Sequence, residues 1–132
     1  IQSVDSLRLA VEIDKRAAQI NKIQDILIQV NASGGAAKFG FKLEEVIEAI
    51  NKIRELKNIN LKGLMTIAPI VDEPQKTRPH FKMLREIRDN INTLHATRYT
   101  LHILSMGMTD DFEVAIEEGS NMLRLGRAIF EA

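Results

Sequence analysis

The chain has 132 residues, 45% hydrophobic and 27% charged, a composition that predicts one folded domain over residues 1–132. Its 18 basic and 18 acidic residues cancel, which argues against a nucleic-acid or anionic-membrane surface and favours a small molecule or a protein as partner. The chain contains no cysteine, which excludes disulfides and cysteine-based zinc sites and fits a cytoplasmic location. No apolar run is long enough for a membrane helix, so we expect no membrane association.

Short apolar runs alternate with amphipathic stretches along the chain. Such runs are typical of parallel strands that are buried on both faces. We predict five strands, at residues 1–4, 26–31, 61–67, 101–105 and 121–125. Asp5 or Ser6 is expected to cap the first helix, and the longest helix is expected from about Gln75 to about His95.

The predicted order of elements indicates an α/β fold with a parallel sheet and right-handed crossovers. A short helix capped by Thr109 or Asp110 is expected to end at Gly119, before the last strand. Two architectures fit this pattern. A five-stranded doubly wound sheet suits the length, whereas a (β/α)8 barrel needs about 250 residues, so this chain would form only part of one.

Two runs, 101–108 and 121–130, combine a strand, a glycine and a helix start. This arrangement points backbone N–H groups at an anion and predicts a phosphate site around Gly107 and Gly126. Arg124 lies inside the second run, where a buried parallel strand would be apolar. It is either a site residue at a strand end or an edge-strand arginine in a surface salt bridge.

Other polar residues have simpler interpretations. His80, His95 and His102 lack metal-ligand spacing, so we predict no metal site. Asp110 and Asp111 could form an acid/base pair, but paired acids at a helix start are favoured by capping and by the helix dipole.

The segments 104–119 and 122–130 resemble the C-terminal signature of the pyridoxal phosphate homeostasis protein family, whose fold is similar to the barrel domain of alanine racemase. Four upstream segments stand in the order and spacing of that family, at residues 3–6, 27–31, 38–40 and 63–67. The resemblance covers essentially the whole chain.

The resemblance implies a parallel (β/α)8 TIM-type barrel that holds pyridoxal 5'-phosphate (PLP) as an aldimine on a lysine of the first strand. This chain would then supply about the last five βα units, as a C-terminal fragment without the N-terminal units. The aldimine lysine would not be in this chain, because Lys38 falls in a loop and Lys62 starts a strand at the wrong end.

The resemblance also implies roles for individual residues. Arg124 would face the pyridine nitrogen, disfavour its protonation and weaken the ring as an electron sink, which fits a PLP carrier without a turnover reaction. The residues implied to bind the cofactor are Ser105, Met106, Gly107, Gly126, Arg127 and Arg124, to which we add Asn31 at the end of the second strand.

Some features depart from the family or leave other functions open. Gln2 stands where histidine is common, residues 35–37 replace an acidic loop, and Glu131 replaces a glycine. A racemase-like PLP enzyme would need a second catalytic group, and Tyr99 precedes a strand at the wrong end for one. Another barrel enzyme with a phosphorylated substrate is a further alternative. Because a partial barrel exposes strand edges, we expect self-association or pairing with the missing N-terminal part.

Overall fold

The computed structural model describes residues 1–33, 39–94 and 100–131, in which helices alternate with parallel strands. Short 3-10 turns at Leu43–Glu45 and Pro74–Thr77 precede the second and third helices. In chain order the elements are α1 (Leu7–Gln19), β1 (Gln24–Gln29), α2 (Val46–Ile53), β2 (Ile59–Met65), α3 (Arg78–Leu94), β3 (Ile103–Ser105), α4 (Phe112–Glu117) and α5 (Arg127–Phe130). No helix of the described residues has the length and apolar character needed to cross a membrane.

The three strands form a parallel sheet in the order β1-β2-β3. The register between β1 and β2 shifts after Ile26, so that β2 holds one extra residue, Lys62. Gly63 pairs with Ile103 of β3, and a Cβ atom on this glycine would lie 2.0 Å from the Ile103 carbonyl oxygen. Glycine is therefore required for the two strands to approach this closely.

The first and fifth predicted strands are reduced to single parallel bridges, which corrects the prediction of five full strands. Val4 bridges to Ile28 of β1, and Met122 bridges to Ser105 of β3. Beside β3, the side chain of Asn121 adds two hydrogen bonds to the backbone bonds that Asn121 and Met122 donate to the Leu104 carbonyl. Its Oδ1 accepts from the Leu104 N–H at 2.8 Å, and its Nδ2 donates to the His102 carbonyl at 2.7 Å.

The arrangement of these segments favours part of a barrel over a doubly wound sheet. Residues 1–4, β1, β2, β3 and residues 121–125 lie side by side in chain order, all parallel, whereas a doubly wound sheet reverses its order at a switch point. Moreover, the Ser105 hydroxyl donates to Gln2 Oε1 at 2.7 Å across β1 and β2. The sheet must curve for these two side chains to meet.

The hydrophobic core lies between the outer face of this curved sheet and the helices. Strand residues such as Ile28, Leu64 and Leu104 are fully buried there, together with Phe81 and Leu84 of α3. Helix α1 begins as predicted, because Ser6 Oγ accepts a hydrogen bond from the Leu9 N–H at 3.1 Å. Helix packing on one face leaves the other face of the sheet to line a cavity, in which apolar side chains such as Leu27 and Ile103 lie beside polar ones such as Gln2.

Several predicted boundaries were wrong by about two residues. Strands β1 and β2 begin and end earlier than 26–31 and 61–67, and β3 is shorter than 101–105. Apolar residues mark burial, and burial continues beyond the last ladder pair, as at Val30 and Leu101. Neither Thr109 nor Asp110 caps α4, which begins after Asp111. Gly119 has a φ of 101° after α4, as predicted for a helix end.

Candidate functional site

The carboxyl ends of the strands are joined by backbone hydrogen bonds that step from one strand to the next. The Val30 N–H donates to the Met65 carbonyl at 2.8 Å, and the Thr66 N–H donates to the Ser105 carbonyl at 3.1 Å. The Met106 N–H donates to the Met122 carbonyl at 3.1 Å. Residues that follow the strands therefore lie along one edge, which is where barrel proteins place their sites.

Arg124 is the central side chain at this edge and is partly buried. Its Nη1 donates to Ser105 Oγ at 2.5 Å, and its Nη2 donates to the Thr66 carbonyl at 2.8 Å. Among the described residues no carboxylate forms a salt bridge with it, so the surface salt-bridge interpretation is wrong. Burial lowers the pKa of Arg124, and the more distant charge of Asp111 opposes this shift. Because its two described hydrogen bonds go to neutral oxygens, the positive charge of the guanidinium is not neutralised by a carboxylate of the described residues.

Ser105 connects Arg124 to the opposite side of the curved sheet. Its side chain is fully buried, and its hydroxyl accepts from Arg124 while donating to Gln2 Oε1. The single hydroxyl hydrogen is therefore already used. Thr66 contributes its carbonyl to Arg124, and its own hydroxyl donates to the Val30 carbonyl at 2.7 Å. No sequence pattern selects Thr66, and Gln2 stands out in the sequence only as a departure from the family.

The loop after β3 is held tightly around Gly107. This glycine has a φ of 103°, and a Cβ atom there would lie 2.6 Å from Ala115 Cβ and 3.0 Å from Leu123 Cδ2. The Arg124 N–H donates to the Gly107 carbonyl at 3.1 Å, which places the ends of the runs 101–108 and 121–130 side by side. Gly126, in contrast, has open space where a Cβ atom would stand.

The backbone N–H groups of Gly107, Gly126 and Arg127 are among those in these loops that donate to no acceptor within the described part of the chain. Nearby, the Ala128 N–H donates to Thr109 Oγ1 at 3.1 Å and so joins the loops a second time. These neutral donors lie at the two glycines around which the sequence predicts a phosphate site.

The side chain of Arg127 is directed to a carboxylate. Its Nη2 donates to Asp110 Oδ2 at 2.5 Å, and both side chains are exposed. The hydrogen bond and the charge of Asp110 raise the pKa of Arg127. Asp111 accepts from the Met108 N–H at 2.7 Å at the start of α4. The two aspartates thus have structural contacts, in keeping with the interpretation that they belong to a helix start.

The other predicted site residues, Met106 and Asn31, already have hydrogen-bond partners within the chain. The Met106 N–H is already bonded to Met122, so this group is not open to an anion. Asn31 follows β1, donates through its N–H to the Phe41 carbonyl at 2.9 Å, and accepts from Ser33 Oγ at 3.0 Å. Among the described residues no group of three histidine, cysteine or acidic side chains could hold a metal. The predictions for Lys38, His95 and Tyr99 lie outside the described residues.

Comparison with known protein families matches residues 1–132 to the family described as "Alanine racemase, N-terminal domain". The chain belongs to the alanine racemase N-terminal domain family. Its α/β architecture with a parallel, partly closed sheet confirms the predicted barrel class. Two of the similar curated proteins are named pyridoxal phosphate homeostasis protein. The protein of Aquifex aeolicus is 45% identical over 130 residues, and that of Escherichia coli K12 is 39% identical over 133 residues.

Each of these matches covers 98% of this family member but 56% and 54% of the two relatives, so the chain spans about half of their length. Among solved structures, an unknown protein from Bifidobacterium adolescentis has a TM-score of 0.89 and 41% identity, covering 98% of this chain and 52% of its own. PipY of Synechococcus elongatus with PLP bound has a TM-score of 0.86 and 27% identity, covering 98% and 59%.

Proposed function

We propose that this chain binds PLP at the carboxyl ends of its strands and is part of a PLP homeostasis protein, a cofactor carrier without a turnover reaction of its own. The similar proteins named for PLP homeostasis and the PLP-bound structure of PipY support this function. The single observation that carries the proposal is Arg124, a partly buried cation bonded only to neutral oxygens beside open backbone donors.

The phosphate fits the backbone donors of the two glycine loops. The N–H groups of Gly107, Gly126 and Arg127 have no acceptor among the described residues, and Gly126 leaves open space beside them. Ser105 and Met106 line the same site, although the hydroxyl hydrogen of Ser105 and the N–H of Met106 already have acceptors. We therefore assign the phosphate contacts first to the three loop N–H groups.

We assign the pyridine ring to the space beside Arg124, with Asn31 at the end of β1 on the same edge of the sheet. A cation at the ring nitrogen disfavours protonation of that nitrogen, and PLP with a neutral pyridine is a weaker electron sink. The bonds of Arg124 to Ser105 and Thr66 fix the guanidinium at one place for this contact. Such an environment supports holding the cofactor more than it supports carbanion chemistry.

The proposal includes the part of the barrel that the chain represents. We propose that it forms about the last five βα units, the C-terminal portion of the barrel, as one domain over residues 1–132, and that the lysine that bonds covalently to PLP lies outside it. The chain order of the parallel segments supports a partial barrel, and the half-length matches support a remainder outside this chain. The C-terminal position is proposed from the sequence resemblance of segments 104–119 and 122–130. Residues 1–4 and 121–125 are then the edges available for self-association or for pairing with the remaining units. The cytoplasmic location predicted from the lack of cysteine is also part of the proposal.

Calorimetric titration with three small molecules tests the site. Pyridoxine 5'-phosphate, which has no aldehyde, should bind more tightly than inorganic phosphate, and pyridoxine without phosphate should bind least. Treatment with PLP and borohydride should give no stoichiometric adduct by mass spectrometry, because no lysine of the chain holds the aldehyde. Equal affinity for all three molecules, or one stoichiometric adduct on Lys38 or Lys62, would contradict the proposal.

A further inference from the structure

Gln2 makes the longest-range polar contact at the site, because it joins the first segment of the chain to Ser105 of β3, 103 residues away. Gln2 is half-buried and Ser105 is fully buried, so the bond is shielded from water on at least one side. A buried hydrogen bond contributes more to the position of its groups than an exposed one does.

The contact fixes the direction of the Ser105 hydroxyl. Gln2 Oε1 can only accept, so the serine hydrogen points to Gln2 and the lone pairs of Ser105 Oγ are left for Arg124. Arg124 Nη1 meets them at 2.5 Å, while Nη2 is held by the Thr66 carbonyl at 2.8 Å. The guanidinium is thereby held at both ends, one of which depends on Gln2.

We propose that Gln2 is a positioning residue for Arg124, acting through Ser105 to aim the guanidinium at the ring of a bound pyridoxyl ligand. The inference rests on the proposed function, because Arg124 is assigned there to the pyridine nitrogen. Gln2 does not touch the loop N–H groups that would take the phosphate. It should therefore affect recognition of the ring and not recognition of the phosphate.

A glutamine amide does not titrate, so this relay stays intact over the physiological pH range. A histidine at the same position would accept from Ser105 when neutral but would present only donors when protonated, below a pKa near 6.5. The other titratable groups nearby are Asp25, Lys62 and His102, which line the same cavity as Gln2. Asp111 adds its charge from the start of α4. The affinity of the native chain is therefore measured at each pH, and each variant is compared with it, so that the effects of these other groups cancel.

The test compares Gln2→Met, an unbranched side chain without an acceptor, with Gln2→His in the 132-residue chain. Binding of pyridoxine 5'-phosphate and of inorganic phosphate is measured by calorimetry at about pH 8 and about pH 5.5. We expect Gln2→Met to weaken pyridoxine 5'-phosphate binding about fivefold to tenfold, the effect of one lost hydrogen bond, and to change phosphate binding less than about twofold. At about pH 8, Gln2→His should bind pyridoxine 5'-phosphate as tightly as the native chain does. At about pH 5.5, Gln2→His should bind it as weakly as Gln2→Met does.

An equal loss of affinity for both probes would show a general structural effect and would overturn the inference. So would unchanged binding in Gln2→Met, or a Gln2→His variant whose ratio to the native chain does not change with pH. If Gln2→Met does not fold, the pH dependence of Gln2→His decides the question alone.

A second measurement separates this inference from the proposed function. Hydrogen exchange of the Arg124 guanidinium, followed by NMR without ligand, should be faster in Gln2→Met than in the native chain and normal in Gln2→His at the higher pH. If the native chain does not prefer pyridoxine 5'-phosphate to phosphate, the proposed function fails, while faster exchange still supports the relay. Unchanged exchange overturns the relay even if the ligand binds.

Discussion

The two faces of the sheet are built from different chemistry although they share the same strands. On the outer face, Leu64 and Leu104 are fully buried against helices with Phe81. On the inner face, the next residue along β3 is Ser105, which is equally buried but bonded to polar partners. The pleat of a strand separates these roles residue by residue. Stability should therefore depend on the outer face, and ligand recognition on the inner face.

The largest effect on stability is expected at Phe81. Its side chain is completely buried between α3 and the sheet, so Phe81→Ala leaves a cavity and should lower the free energy of unfolding by about 3–5 kcal/mol. Phe130→Ala, the same change at a side chain that is 83% exposed, should have an effect within about 0.5 kcal/mol. Urea unfolding measures both variants. Similar effects would contradict the assignment of stability to the outer face.

The next largest effect is expected at Gly107, where the inner face continues into the ligand loops. Gly107→Ala combines a φ of 103° with a Cβ that would lie 2.6 Å from Ala115 Cβ. Backbone strain alone should cost about 1–3 kcal/mol of stability. The control is Gly126→Ala, which has open space and a φ of −121°, and it should leave the urea midpoint nearly unchanged. If Gly126→Ala lost more stability than Gly107→Ala, the assignment of backbone strain and close packing to Gly107 would be wrong.

Two partly buried arginines, Arg124 and Arg85, sharpen the comparison further. Burial lowers the pKa of Arg124, which means that the folded state disfavours its charged form. Arg124→Met should therefore change stability by less than about 1 kcal/mol but weaken pyridoxine 5'-phosphate binding about tenfold or more, by loss of a charged contact. Calorimetry and urea unfolding measure the two effects.

Arg85→Met is the matched control on the outer side. Arg85 lies 3.6 Å from the Glu118 carboxylate, which is only 10% exposed, and also donates to the Glu118 carbonyl. Without Arg85, only Arg78 pairs with the Glu118 carboxylate among the described residues. The free energy of unfolding should therefore fall by about 1 kcal/mol or more, while pyridoxine 5'-phosphate binding should not change. If Arg85→Met weakened ligand binding and Arg124→Met lowered stability, the assignment of stability to the outer face and of ligand recognition to the inner face would be wrong.

The sequence was sufficient for those features that depend on local patterns. The alternation of apolar runs predicted the parallel strands, and the position of Arg124 inside such a run predicted its place at the strand ends. The contact between Gln2 and Ser105 depends on the curvature of the whole sheet, which no local pattern records. The reduction of the last strand to one bridge also could not be predicted, because it depends on how Asn121 bonds to β3 through both its backbone and its side chain.

The smallest effect is expected at Glu12 on the exposed face of α1. Glu12 Oε1 lies 2.8 Å from Arg16 Nε, and the hydrogen bond and charge of Arg16 lower the pKa of Glu12. A carboxyl whose pKa is lowered on folding stabilises the folded state above its unfolded pKa, and this stabilisation is lost as the pH falls through the folded pKa. Glu12→Gln should thus be slightly less stable than the native chain at about pH 7 and equally stable at about pH 2.

Because both side chains are solvated, 1 M salt should shrink the difference at neutral pH. Urea unfolding at both pH values, with Arg16→Gln and the double variant completing a cycle, measures the pair directly. A difference that persists at about pH 2, or one that appears in pyridoxine 5'-phosphate binding, would contradict the placement of this pair outside both the core and the site.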